Sequence, residues 1–148
     1  MQPSNPKYVE QHGLDKAIKF GRTIYIPYSR LLVISGASAE EKIPVNDVFE
    51  FDLISKRVER KQNIIVGRTS FAAHYTFGDR YIYAIGGCNA KETMIADCER
   101  FDLFRQKWTR MPGMNEPRGN PGTLLTKDKK YLYAFQGFIN TFASPTGN

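Results

Sequence analysis

The side chains with most chemistry to offer are two cysteines, two histidines and a pair of recurrent aspartates. Cys88 and Cys98 bracket a polar stretch, and His12 and His74 are the only histidines. A metal site would want two further ligands at a suitable spacing, and nothing near the cysteines supplies them. Two cysteines are also too few for a disulfide scaffold. They read as free thiols in small buried positions, with a bridge across one hairpin end as the alternative. His74 falls mid-strand and reads as a packed residue. Asp52 and Asp102 recur in the same local context, "FDL". Recurrence points to a turn or hydrogen-bonding role rather than to chemistry in one cleft. There is no Gly-x-Ser-x-Gly elbow and no His-Glu-x-x-His, so no catalytic set is assigned. "YIYAIGGC" at 81–88 has the look of a phosphate loop at the end of a strand. A nucleotide fingerprint would need further spaced glycines and a following helix. A polar loop and another strand follow instead, so no cofactor is expected.

The elements that position these residues repeat. "YIYAIGG" at 81–87 returns as "YLYAFQG" at 131–137, a shift of 50. "FEFDLISKRVER" at 49–60 returns at the same shift as "ERFDLFRQKWTR" at 99–110. Asp47 matches Asp97, and Arg68 matches Arg118. "LLVISGA" at 31–37 lies 51 residues before "IYAIGGC". A period of this size is the mark of a repeat architecture. Within one unit, strands are expected at 70–77, 80–87, 97–103 and 107–112, with a turn at Gly78-Asp79 and a stop at Pro112-Gly113. The run at 80–87 does not alternate and so reads as buried on both faces. Residues 17–29 read as an outer or linking strand. No segment has convincing helical periodicity; 14–20 comes nearest and is too short.

An apolar strand, Gly86-Gly87, a variable loop, Phe101-Asp102, a turn, Trp108 and Pro112, preceded by Arg68, together resemble the kelch repeat. Tyr83 belongs to the same pattern. The first copy has Ser35-Gly36 for the glycine pair and Val58 for the tryptophan; the third has Gln136-Gly137. The resemblance implies an all-β fold of kelch-type propeller blades, each a four-stranded antiparallel sheet. The expected organisation is an N-terminal tail (1–16), a degenerate first blade (17–62), a second blade (63–112), the first hairpin of a third (113–138) and a C-terminal tail (139–148). Gly36, Gly86, Gly87, Gly137, Tyr83, Trp108, Asp52, Asp102, Arg68 and Arg118 are its structural motif residues. Tyr83 and Trp108 are expected to pack between blades, and the arginine to satisfy carbonyls of the adjacent blade. A propeller closes with about four to eight blades, so this ring is incomplete. Other blades or chains are needed to finish it. The resemblance further implies a non-catalytic protein-interaction scaffold in a cytoskeletal, ciliary or ubiquitin-ligase adaptor context. The alternative is a fragment of an enzyme whose catalytic residues lie in missing blades.

Composition fits a folded domain: 41% of residues are hydrophobic, too many for a disordered tail. No run is long and apolar enough to cross a membrane. The N-terminus has no apolar core of a secretory signal, and with few cysteines a reducing, cytoplasmic location is expected. The net charge is +6, which suits an acidic partner. In a four-stranded meander the first-to-second and third-to-fourth turns share one face. That face collects Lys56, Arg57, Arg80, Arg105, Lys107, Lys127, Lys129 and Lys130, with Arg60, Lys61 and Arg110 further along the strands. These are the candidate partner-binding residues, for a protein with an acidic surface. The aromatic residues fall at core strand positions, which ranks nucleic acid lower.

Overall fold

The computed structural model describes residues 18–40 and 42–139. The tail 1–16, with His12, lies outside the described residues, as does the tail 139–148 apart from Ile139. Among the described residues every regular element is a strand. The first sheet holds β1 (Ile18–Lys19), β2 (Arg22–Ile26), β3 (Arg30–Ser38), β4 (Pro44–Asp52) and β5 (Val58–Arg60). The second is the meander β6 (Ala72–His74), β7 (Tyr81–Ile85), β8 (Cys98–Asp102) and β9 (Lys107–Met111). The third is the hairpin β10 (Gly122–Leu125) and β11 (Leu132–Phe135). All pairings are antiparallel.

The first sheet corrects one expectation. Residues 22–26 are neither an outer nor a linking strand: β2 pairs with β3 as β6 pairs with β7. β2 is therefore the first strand of its blade. It was hard to see because the polar pair Arg22-Thr23 and the exposed Tyr25 dilute its apolar pattern. β6 touches both β2 and β10, so the first strands of the three sheets lie side by side. Arg22 reaches across them to the Asn120 side chain at 2.6 Å.

β7 shows why its run of apolar residues does not alternate. Ile82 and Ala84 face one core, which also contains Ile26, Leu32, Ile34 and Val48 of the first sheet and Trp108 of the second. Tyr83 and Ile85 face the other, against Leu125, Leu132 and Ala134 of the third sheet. A strand between two blades has no solvent face, so both faces are apolar. Trp108 lies tilted over Phe101, with ring centroids 5.1 Å apart, in the first of these cores.

Each second strand carries a pair of positive-φ residues, as a bulge inside β3 and just past the ends of β7 and β11: Ser35 and Gly36 (50° and 123°), Gly86 and Gly87 (62° and 108°), Gln136 and Gly137 (58° and 88°). The first angle lies in the left-handed well that L-residues reach at a cost. The second lies beyond it, in glycine's territory. This explains why serine and glutamine replace the first glycine of the pair and nothing replaces the second. A side chain on Gly87 would also come within 2.7 Å of the Thr69 carbonyl oxygen. The Gly36 amide donates to the Arg68 carbonyl and the Gly87 amide to the Arg118 carbonyl, tying each sheet to the next connection.

Candidate interaction surfaces

The recurrent aspartates build a rim. Asp102 accepts from the amides of Phe104 (3.0 Å) and Arg105 (3.1 Å). It also takes a two-pronged contact from Arg80, at 3.0 and 2.7 Å. The Arg80 guanidinium and these amides hold its carboxyl well below the usual carboxylate range, and Arg80 is raised in return. Asp52 accepts from the amides of Ile54 and Ser55, both at 2.8 Å, and is lowered by them. Both aspartates shape the turn after the third strand, where an Asx side chain replaces a backbone acceptor. The Leu53 and Leu103 amides donate to the Ser29 and Arg80 carbonyls. Those bonds bring the first-to-second and third-to-fourth turns of each sheet to one edge.

Lys56, Arg57, Arg80, Arg105, Lys107, Lys127, Lys129 and Lys130 are all exposed, and their turns share this edge. Two of them are tied down: Arg80 by Asp102, and Lys129 by Asp79 of the preceding blade. Among the described residues the other six form no ion pair. The strand residues counted with them are neutralised: Arg60 pairs with Asp47, Lys61 with Glu50 and Glu59, and Arg110 with Asp97. The Asp47–Arg60 and Asp97–Arg110 pairs are one contact repeated, so the fifty-residue period carries them too.

The rim also holds aromatic side chains, which corrects their assignment to the core. Tyr28 and Phe104 are 84% and 83% exposed, and Phe77 is 66% exposed. Tyr25 of the first sheet stacks on Phe77 of the second, 5.9 Å between centroids and 10° between planes. Arg80 lies over Phe104 and Arg30 over Tyr28. A signal was present: Phe77 immediately precedes Gly78-Asp79, and Phe104 sits inside a turn, where the chain has left the core. Isolated exposed aromatics are ordinary; here several lie on the turn edge that also carries the basic residues.

The opposite edge carries the longer connections. An open groove of about 610 Å³ runs there between the first two sheets, lined by Val45, Asp47, Val66, Asn89 and Lys91 among others. It mixes charge and apolar surface, without a convergent set of reactive groups. Cys88 and Cys98 are free thiols, both pushed up by burial. Each donates to a nearby carbonyl, of Asn89 and Ala96. A raised thiol is a poor nucleophile and a poor ligand. His74 is lowered by burial and meets the Thr123 hydroxyl at 3.3 Å between two first strands. Among the described residues no group of three His, Cys, Asp or Glu side chains is placed to hold a metal.

Among the described residues Arg68 is the largest fully buried side chain. It donates to the carbonyls of Val66 (3.1 Å), Gly86 (2.9 Å) and Asp97 (2.7 Å), and to the Glu99 carboxylate at 2.5 Å. The Gly86 and Asp97 carbonyls belong to the blade it precedes, and only its backbone reaches back to the first sheet. Glu99 carried no signal of this role, because its counterpart in the first copy is Phe49.

Repeated antiparallel sheets arrayed around adjacent first strands, joined by buried inter-sheet cores, define a partial β-propeller. The family description "Kelch motif" matches residues 73–115, which covers β7 to β9 and all of β6 but Ala72. The chain is 26% identical over 95 residues to a RING finger domain and kelch repeat-containing protein from Dictyostelium discoideum; this is 64% of the chain and 9% of that protein. It is 28% identical over 94 residues to an F-box/kelch-repeat protein from Arabidopsis thaliana, 60% of the chain and 22% of that protein. The chain thus spans less than a quarter of either relative. The second sheet matches the kelch motif directly, and the first and third share its fifty-residue period and its antiparallel pairing.

Proposed function

We propose that this chain is a non-catalytic protein-interaction module whose turn rim docks an acidic partner in the cytoplasm. The observation that carries the reading is the alternation of unpaired Lys56, Arg57, Arg105, Lys107, Lys127 and Lys130 with exposed Tyr28, Phe77 and Phe104. Long-range charge steers an acidic surface and the aromatics supply contact area. Both relatives name kelch repeats beside a second element, a RING finger or an F-box. By analogy, the repeats here select a partner for a larger assembly, in an adaptor or cytoskeletal setting.

The test is charge reversal at Arg57, Lys107 and Lys127, with a poly-glutamate peptide as probe. The expected result is a large loss of affinity and a shallower salt dependence. Unchanged affinity and salt slope would remove the rim from function. The Tyr25–Phe77 stack also favours a second reading, single-stranded RNA, since bases stack on exposed rings. An oligouridine that binds more tightly than poly-glutamate, and loses affinity in Phe77→Ala and Phe104→Ala, would replace the acidic protein by RNA.

A further inference from the structure

A second cavity, of about 410 Å³, lies beside the open groove on the long-connection edge and shares Pro44 and Asn89 with it. The first sheet gives it one wall, with Lys19, Phe20 and Lys42; the second sheet gives the facing wall, with Thr69, Ser70 and Glu92. These walls are the same two places of the repeat, taken from neighbouring blades. Residues 19–20 stand fifty positions before 69–70, ahead of β2 and β6, and Lys42 stands fifty before Glu92, after β3 and β7. Phe20, Lys42, Ser70 and Glu92 all hold positive φ, between 50° and 58°. Left-handed backbone at non-glycine residues costs energy and gathers at functional sites.

The two loops share a backbone shape and carry opposite charges across the cavity. Among the described residues Lys19, Lys42 and Glu92 make no ion pair, and the Thr69 and Ser70 hydroxyls make no hydrogen bond. The Asn89 side-chain oxygen is used by the Lys91 and Thr93 amides, at 2.9 and 3.2 Å, which leaves its amide nitrogen as a further donor. The Glu92 charge reaches the lining: burial, and Glu92 after it, push up the Cys88 thiol on the same wall. The charged lining is two ammonium groups against one carboxylate. Its complement is a molecule with two carboxylates and one ammonium.

We infer that this cavity binds an acidic α-amino acid, its two carboxylates on Lys19, Lys42 and the hydroxyls of Thr69 and Ser70, and its ammonium on Glu92. The volume falls within the range of small-ligand sites. Phe20, Ala37 and Pro44 meet the methylene carbons. Lysines that stay in contact with water make each ion pair a modest one, so affinity comes from engaging all three charges together. The inference goes beyond the docking of a protein partner and makes no use of the basic rim.

The test titrates the full chain with L-glutamate and L-aspartate, reading backbone amide shifts. The expected result is saturable shifts at 19–20, 42–44, 69–70 and 88–92 with at least one of the two. Glutarate, without the ammonium, and glutamine, without the second carboxylate, should each bind about fivefold more weakly than glutamate, the worth of one exposed charge pair. Glu92→Gln should abolish the preference over glutarate and keep that over glutamine. Lys42→Gln should erode the preference over glutamine and keep that over glutarate. Glutamate should also slow alkylation of Cys88 by iodoacetamide and leave Cys98, which lies outside the cavity, unaffected. No saturable shift with either amino acid, equal binding of glutarate, or a preference that survives Glu92→Gln would overturn the inference. Shifts at 54–57 and 104–107 instead would also overturn it, by placing the anion on the rim. The rim variant at Arg57, Lys107 and Lys127 keeps glutamate binding, so the two readings fail separately.

Discussion

The two sides of the second blade are built from the same repeat and finish differently. On one side Arg68 is sealed against Glu99 between the first two sheets; on the other Arg118 is 23% exposed and held by Glu116. Tyr83 is buried against the third sheet, while Tyr133, its counterpart, is half exposed on β11. The side chains match and the neighbours do not. Burial here is a property of the next strand, not of the residue type, as expected for a repeat that covers its apolar face only against a neighbour.

The largest effect is expected at Arg68. Arg68→Ala leaves Glu99 buried without its cation and should cost about 3–5 kcal/mol, whereas Arg118→Ala should cost at most about 1 kcal/mol. Urea denaturation of the two variants checks this, and equal losses would break the comparison. Next come the tyrosines. Tyr83→Ala should cost about 3 kcal/mol, and Tyr133→Ala about 0.5 kcal/mol or less, read as shifts of the same transition. Gly87→Ala should cost about 1–3 kcal/mol from its positive φ, with further loss from the approach to the Thr69 carbonyl.

The smallest effect is a pH dependence. Asp102 is lowered by Arg80 and the turn amides. A lowered carboxyl adds stability that is complete above its unfolded pKa and lost as pH falls through the folded one. Asp102→Asn should therefore be less stable than the parent at neutral pH, and the gap should narrow below about pH 4. A gap that stays constant down to acid pH would mean that the turn amides, not the charge, carry the contribution.

Much of this was legible in the chain. The fifty-residue period, the non-alternating run at 81–85 and the turn at Asp102 follow from local rules. They depend on spacing and on which backbone angles a residue tolerates. β2 was harder to read because Arg22 and Tyr25 serve the central contacts and the rim rather than the core. The aromatic rim was misplaced because hydrophobicity alone assigns Phe77 and Phe104 to the interior. The pairing of Arg60 with Asp47 and Arg110 with Asp97 needs strand register, which joins residues thirteen positions apart.

By itself the sequence determined that the chain is a repeated all-β array and where each strand turns. Those properties reside in short stretches: alternation, glycine positions and Asx turns. Only the tertiary structure decided which charges remain free, which aromatics face water, and that Arg68 is held by a buried Glu99 while Arg118 is held by an exposed Glu116. Each of these depends on what a neighbouring strand brings within hydrogen-bond reach, and two copies of one motif carry no record of which of them has that neighbour.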